Sequence, residues 1–469
     1  MPGHEDHIDL AHPLLAEIGA AADEAGLEVY VVGGYVRDLI LGEVDRDIDI
    51  LVMGDGVAFA RTVAARLNIH TVVAYERFGT AMVPIENGKV EFVGARKERY
   101  DSGSRNPEGS AGTLQDDLLR RDFTVNTLAV SLNKERFGTL LDPFNGRGDL
   151  AARILRTPLD PEQTFDDDPL RIMRAIRFAS QLEFAIEDRV RAAIGSMKGR
   201  LAIVSQERIT EEFLKILKSR KPSIGLRLLF DSGVLHIVFP EIAQMAGVDQ
   251  RKDHHHKDVF LHTCLVVDNI APTTDSLWLR FAALVHDIAK PRTKAFKEGI
   301  GWTFHGHEEI GARMMRKIFQ RMKLPLEPLP YVEKLVRLHL RPMVLVDEIV
   351  TDSAVRRLVF ETGNDIDDLM KLCRADITSQ NPGRVARYLK NYEVVMQKIV
   401  EVEEKDRLRN WQPPVKGDEI MAVCSLEPGK MVGVLKKAIE EAILDGKIPN
   451  EHDAALQFLL SIKDEFVRK

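Results

Sequence analysis

Asp47 and Asp49 stand one residue apart in the segment Asp45-Arg46-Asp47-Ile48-Asp49-Ile50-Leu51-Val52. On an extended strand both side chains point to one face, about 7 Å apart, where they can grip a pair of divalent ions. Carboxylates at 45, 47 and 49 repel one another unless a cation sits among them; otherwise the segment is a polar edge strand. Just upstream, Val29-Tyr30-Val31-Val32 runs into Gly33-Gly34 and then Tyr35-Val36-Arg37-Asp38-Leu39-Ile40-Leu41-Gly42. This reads as strand, tight turn and helix. The glycines admit a ligand close to the backbone, the helix start offers unpaired N–H groups to phosphate, and Arg37 adds a bidentate contact. A Gly-Gly turn alone is more often structural. Beside paired aspartates it points to nucleotidyl transfer, in which one ion activates a hydroxyl and a second holds the departing pyrophosphate.

Two further clusters carry charge with a purpose. Asp168-Pro169-Leu170-Arg171 opens a helix, with Asp as a cap and Pro in the first turn. Asp168 and Arg171 are three apart and share a face. A carboxylate accepts from the exocyclic amine that cytosine and adenine both carry, while a guanidinium donates to the adjacent ring acceptor. Such a pair rejects guanine and uracil. Arg174 and Arg177 continue the row, but each three-residue step lags by about 60°, so they face phosphate, the pocket wall or surface acids. Arg120-Arg121-Asp122-Phe123-Thr124-Val125-Asn126 is either a polar pocket lining or a helix cap with its salt bridge.

His262, the adjacent His286-Asp287, His307, His339 and Asp376 form a third set, spread through a helical pattern. A lone histidine is usually a core or surface residue, but six imidazole and carboxylate groups can hold one or two divalent metals that activate water. His254-His255-His256 reads better as a solvated loop or substrate-arm contact.

These groups need a scaffold, and the composition supplies one. The chain has 469 residues, 45% apolar and 29% charged, and only 6% aromatic, which excludes disordered and fibrous classes and favours an aliphatic core. Short β-branched runs (Val29 to Val32, Ile48 to Val52, Thr71 to Val73, Lys89 to Val93) alternate with helical patterns such as Leu14 to Glu24 up to about Leu150. Thereafter three- and four-residue spacing dominates. The expected fold is an α/β head followed by all-α segments. The divisions are 1–150 for the head, 151–248 for a helical neck and body, 249–400 for a helical metal domain and 401–469 for a helical tail. Gly94 to Gly112, polar and rich in Gly and Ser, is expected to be a mobile loop. Lys and Arg number 65 against 72 Asp and Glu, a net charge of -7, so no uniform basic coat exists. From Ile186 to Phe230, however, ten Lys/Arg face five acids, either a phosphate-tracking stripe or a solvated helix face. Cys264, Cys373 and Cys424 lie far apart and read as core residues. With no membrane-length apolar run and no leader pattern, a cytoplasmic protein with no membrane partner is expected.

The blocks GGYVRDLILGEVDRDIDI, LRRDFTVNTLAV, LLDPFNGRGDL and DDDPLRIMRAIRFA, in this order, resemble the bacterial-type (class II) CCA-adding tRNA nucleotidyltransferases and the related bacterial poly(A) polymerases. The resemblance spans about Val29 to Arg220. It implies a DNA polymerase β-like head with helical neck, body and tail. It assigns catalytic Mg²⁺ to Asp47 and Asp49, with Glu91 as a third carboxylate, and the triphosphate to Gly33, Gly34 and Arg37. Arg121 is implied to contact the nucleotide, Asp122 and Asn126 to order the sugar end of the pocket, and Asp142 to Asp149 to form the hinge between head and neck. Asp168 and Arg171 are implied to choose the base, with Arg174 and Arg177 completing the nucleotide-binding row. Asp167 replaces the family's usual Glu. The loop from Gly94 to Gly112 sits where the family has the segment implied in moving from C to A addition. The histidine set resembles the HD phosphohydrolase superfamily, implying a divalent metal on His262, His286, Asp287, His307, His339 and Asp376. Leu426 to Gly433 resembles a tail element of HD-bearing members, either a helix start or a contact to RNA phosphate.

The sequence therefore supports an enzyme that adds CCA to tRNA 3′ ends from CTP and ATP without a nucleic-acid template, with a possible HD phosphohydrolase activity. A poly(A) polymerase, an HD phosphohydrolase with an RNA-binding head, and an RNA-binding scaffold stand as the other readings.

Overall fold

A computed structural model describes residues 7–43, 47–86, 88–99, 108–248, 258–299, 301–347, 351–379, 381–406 and 413–467. Asp45, Arg46, His254 to His256 and the middle of the Gly94 to Gly112 segment lie outside them. The chain forms two compact units, Met1–Ile216 with Ile224–Val238, and Leu217–Ser223 with Phe239–Lys469. The α/β head and helical remainder expected from the sequence are what the structure shows.

In the first unit, β1 (Val29–Val32), β2 (Asp47–Val52), β3 (Val73–Tyr75), β4 (Thr80–Ile85), β5 (Gly88–Gly94), β8 (Ala129–Ser131) and β9 (Leu140–Leu141) build a seven-stranded sheet. Its order is β3-β4-β5-β2-β1-β8-β9. Its Val-Tyr-Val-Val sequence suits β1 to a wholly buried interior position, antiparallel to both β2 and β8. The register pairs Val32 with Asp49, which brings the glycine turn beside the aspartate strand. β2 runs parallel to β5 with Asp47 opposite Lys89 and Asp49 opposite Glu91. The helix Gly56–Arg66, capped by Asp55 accepting the amides of Val57 and Ala58, covers this half of the sheet. Phe59 on it meets Phe92 of β5 edge to face at 5.8 Å.

Two expectations need correcting. The strand read at Thr71 to Val73 lies at Val73–Tyr75, paired with Thr80–Ile85, a strand hidden because Pro84 breaks the β pattern. The Gly94 to Gly112 segment is not loop throughout: β6 (Arg96–Arg99) and β7 (Glu108–Ala111) pair antiparallel. Polar residues obscured these strands.

The helices Pro161–Asp167, Leu170–Leu182, Asp188–Met197 and Gln206–Leu217 come next in the chain. In the second unit the helices Val259–Ile270, Leu277–Val285, His307–Arg321, Leu329–Leu338 and Ile366–Ala375 position the histidine set, with His262 and His307 inside helices and His286-Asp287, His339 and Asp376 just past the ends of theirs. Arg280, nearly buried, donates to the carbonyls of Leu217, Lys218, Ser219, Ala271 and Thr274, satisfying groups left open where helices end. The tail has its own core of Val415, Ile420, Leu435, Ile439, Ile443 and Leu459. All three cysteines are buried thiols outside any disulfide. Among the described residues, no helix is long and apolar enough to cross a membrane.

Candidate active site and metal centre

Where β1 ends, Gly33 takes φ +74°, and a Cβ there would lie 2.8 Å from Arg121 Nη1 and 3.5 Å from Asp49 Oδ2. Only glycine lets the turn, the arginine and the aspartate approach this closely. The helix Gly34–Leu41 starts at this turn, with Gly33 capping it and no side-chain cap on its first amides. They are the anion-seeking end of the helix.

A cleft of about 470 Å³ opens here. Gly33, Gly34, Arg37, Asp49, Arg121, Asp122, Asn126, Asp168, Arg171, Arg174 and Arg177 all line it, so residues spread over the first 177 positions converge on one space. Arg120, Phe178 and Gln181 complete it. Asp47 and Glu91 are not in the lining. Asp47 is exposed at the start of β2, and Glu91 Oε1 is held by Lys89 Nζ at 2.9 Å, a contact that also raises the lysine's pKa. Among the described residues, the carboxylates of Asp47, Asp49 and Glu91 do not gather within 4.8 Å of one another. Two carboxylates on one strand face beside a phosphate-seeking turn are nonetheless the oxygen donors that a hard divalent cation takes.

The polar wall is cross-braced. Arg37 grips Asp38 with two bonds of 2.7 Å and donates to Asn126 Oδ1 at 2.7 Å. Asn126 Nδ2 donates to Asp122 Oδ1 at 2.9 Å, and Arg174 Nε to Asp122 Oδ2 at 2.7 Å. Burial alone would raise the pKa of Asp122, but the charge of Arg174, the bond from Asn126 and the charge of Arg171 overrule it and bring it to about 2. Arg177 is buried against Glu212, Nε to Oε2 at 3.0 Å; burial and the charge of Arg174 lower its pKa to about 10, so it stays cationic at neutral pH. Arg37, Arg174 and Arg177 all lie over the ring of Phe178, at 5.1, 5.3 and 4.1 Å from its centroid.

The helix Leu170–Leu182 begins at Leu170, so Asp168 lies just outside it, in an extended conformation. Its Oδ1 accepts the amide of Leu170 at 3.1 Å, and its Oδ2 lies 3.7 Å from Arg208. Arg171 donates to the carbonyls of Thr164 and Arg120. Both residues border the cleft, each held by other partners. The Asp142 to Asp149 segment forms a capped turn: Asp142 accepts the amides of Gly146 and Arg147 at 2.6 and 2.9 Å, and Asn145 is left-handed.

Three contributors escaped sequence reading. Asp117, fully buried, binds Arg120 and holds Arg121 at 3.1 Å; its three- and four-residue spacing to these arginines was the available signal. Glu212 was counted only as part of a charged stretch. Phe178 carried no signal beyond helical periodicity. Several cations of the Ile186 to Phe230 stretch form local pairs, including Arg189 with Asp160 and Arg200 with Asp166.

In the second unit the six histidine-set residues meet. His262 Nε2 lies 2.8 Å from Asp376 Oδ1, His286 Nε2 3.2 Å from Asp287 Oδ2, and His307 Nε2 3.2 Å from Asp287 Oδ1 and 3.3 Å from His339 Nε2. His262, His286 and Asp376 form one potential metal-holding group, and Asp287, His307 and His339 another. The outer nitrogens are all engaged: His286 Nδ1 meets the carbonyl of Ala283 at 2.7 Å, His307 that of Phe304 at 2.8 Å, His339 that of Val336 at 2.6 Å, and His262 the Thr378 hydroxyl at 2.8 Å. A carbonyl only accepts, so three rings carry their proton on Nδ1 and turn Nε2 inward, the arrangement of metal-ligating histidines. His286 Nε2 is buried between the carboxylates of Asp287, 3.2 Å away, and Asp376, 3.5 Å away. Burial would lower the pKa of His286, yet the carboxylates of Asp287 and Asp376 lift it to about 10, while burial and the charge of His286 press His339 to about 3. The carboxylates draw positive charge to the centre of the cluster. These donors fit a divalent metal.

Comparison with known proteins gives three family matches: a Poly A polymerase head domain over residues 29–156, a probable RNA and SrmB-binding site of polymerase A over 183–245, and an HD domain over 253–378. An A-adding tRNA nucleotidyltransferase of Deinococcus radiodurans is 32% identical over 440 residues, covering 90% of this chain and 93% of that protein. A Multifunctional CCA protein of Dechloromonas aromatica is 36% identical over 307 residues, 64% of this chain and 70% of that one. The fold is similar to the Bacillus stearothermophilus CCA-adding enzyme in complex with CTP, with a TM-score of 0.68 and 23% identity over 97% of this chain and 98% of that one.

Proposed function

The chain belongs to the tRNA nucleotidyltransferases, and from that premise we propose that it builds the CCA end of tRNA from CTP and ATP. The observation that carries this reading is the cleft in which the glycine turn, Asp49, Arg121 and the arginine row converge. The triphosphate lies along the Gly33-Gly34 turn and the helix start, neutralised by Arg37 and Arg121. The tRNA 3′ hydroxyl attacks the α-phosphate, its new P–O bond forms as the bond to pyrophosphate breaks, and its proton leaves near Asp47 and Asp49. Asp47 and Asp49, with Glu91 as a third carboxylate, would hold Mg²⁺, which when bound would supply Lewis acidity toward the hydroxyl and the triphosphate. Asp168 and Arg171 accept cytosine or adenine through the amine and ring acceptor those bases share, once Arg171 gives up the carbonyls it holds. Asp122, Asn126 and Arg174 hold the sugar side of the pocket rigid. The test is incubation of tRNA lacking its last three nucleotides with each labelled nucleotide. Two CTP additions followed by one ATP addition support the reading. ATP added repeatedly indicates a poly(A) polymerase, and CTP or ATP alone indicates a partial adder.

The histidine cluster favours a second activity, hydrolysis of phosphoesters. His262, His286, Asp287, His307, His339 and Asp376 would hold a divalent metal, which when bound would activate water. Lys290, with Nζ 2.6 Å from Asp287 Oδ2, sets a fixed positive charge beside the cluster for a phosphoryl group. Release of phosphate from an RNA 2′- or 3′-phosphate tests it.

A further inference from the structure

Between two residues of the histidine cluster, Asp287 and His307, the chain makes a small hairpin, Ala295–Lys297 against Gly301–Thr303, within a region whose sequence pattern is otherwise helical. Register sets Phe296 directly opposite Trp302, so both rings project from one face. They meet edge to face at 5.3 Å and stay 50% and 38% exposed. The alternate positions face the other way: Thr303 is buried and its hydroxyl donates to the Ala295 carbonyl at 3.1 Å. Lys294 Nζ lies 4.4 Å from the Trp302 ring. From Ile288 to Gly306, Lys290, Arg292, Lys294 and Lys297 stand against one acid, Glu298.

The hairpin is tied to the cluster at both ends. Lys290 bridges Asp287 and the face of Phe304, and the Phe304 carbonyl holds His307 Nδ1. Trp302 precedes His307 by five residues, so the backbone between them spans at most about 17 Å. An exposed aromatic pair edged with cations is the surface on which unpaired bases stack while their phosphates are neutralised. An acidic peptide would use the cations but gain little from the two rings.

We propose that this hairpin is a stacking platform for the unpaired bases of an RNA 3′ end, presenting its terminal phosphoryl group to the histidine cluster. The proposal rests on reading that cluster as a phosphoester-hydrolysing centre. There, water adds its oxygen to phosphorus, the bond from phosphorus to the ribose oxygen breaks, and that oxygen takes the proton, leaving inorganic phosphate and a free hydroxyl.

The experiment compares an RNA trinucleotide ending in a 3′-phosphate with β-glycerophosphate, which has no ring to stack, using the metal-loaded full chain. Phe296→Ala and Trp302→Ala each lower the ratio of kcat/KM on RNA to that on β-glycerophosphate about tenfold, through KM for RNA. Equal losses on both substrates, or none on either, overturn the platform. A second readout needs no turnover. The fluorescence difference between the parent and Trp302→Phe is quenched by the trinucleotide, also in an Asp287→Ala background, and absence of that quenching overturns the proposal. A 3′-phosphorylated mononucleotide that binds as tightly as the trinucleotide overturns the choice of an RNA end. If neither ester is hydrolysed with any divalent metal, the hydrolytic reading falls, and the fluorescence titration still decides the platform.

Discussion

Arg174 reaches from the helix Leu170–Leu182 to the buried carboxylate of Asp122, with Nε at 2.7 Å and Nη2 at 2.6 Å from Oδ2. The pair joins the last helix of the cleft to the Arg120–Asn126 segment. Asp122→Asn leaves the guanidinium with a weaker partner and is expected to cost about 2 kcal/mol of unfolding free energy. The pH dependence has a definite sign. A carboxyl held at about 2, below its ordinary ~3.9, contributes stability that is complete above about pH 4 and lost as pH falls toward 2. Urea melts of the parent and Asp122→Asn should therefore differ by a constant amount at higher pH and converge in acid.

Gly33→Ala places a methyl group 2.8 Å from Arg121 Nη1 on a backbone at φ +74°. Backbone strain of about 1–3 kcal/mol in this sparsely populated conformation adds to the displacement of Arg121. The expected result is a rise of about tenfold in KM for CTP and ATP, with an unchanged circular dichroism spectrum. An unchanged KM would remove the turn from the triphosphate site.

Asp49→Asn and His286→Ala should separate the two proposed chemistries. Each is expected to lower its own reaction on the order of a thousandfold, the several kcal/mol that metal-assisted catalysis supplies, while the other reaction continues. Nucleotide addition and phosphate release measured on the same preparations decide this. Loss of both reactions in either variant would mean one shared site.

Thr378 supports the metal cluster through a single bond, its hydroxyl 2.8 Å from His262 Nδ1. Thr378→Val keeps the shape and removes the partner, which is expected to weaken divalent-metal affinity about tenfold. Calorimetric titration of the chelator-treated chain measures it directly. Metal at a hundred times its Kd should also stabilise the parent by about 2.7 kcal/mol, and less in the variant.

Much of both candidate sites could be nominated from the sequence because their proposed chemistry lies in short contiguous runs. Asp47 and Asp49 need only a strand to share a face, Gly33 and Gly34 only a turn, and His286 with Asp287 only adjacency. What stayed hidden depends on groups with no sequence signature. The Ala283, Phe304 and Val336 carbonyls that orient three imidazoles belong to residues of no distinctive type. Phe178 looks like any core phenylalanine until three guanidiniums lie over it. The hairpin at Phe296 and Trp302 was missed because three-residue strands are too short to display a period of two.

By itself the chain's order of residues determined its class, an α/β head leading into helices, and the identity of the groups able to do chemistry, since residue type and local spacing are properties of adjacent positions. Tertiary structure alone decided which of these groups meet. Register set Asp49 beside the glycine turn, packing set Arg174 on Asp122 and Arg177 on Glu212, and helix placement turned four Nε2 atoms toward two carboxylates. Such contacts join residues tens to more than a hundred positions apart, and their geometry arises from how whole elements bury their apolar faces, which local pattern does not encode.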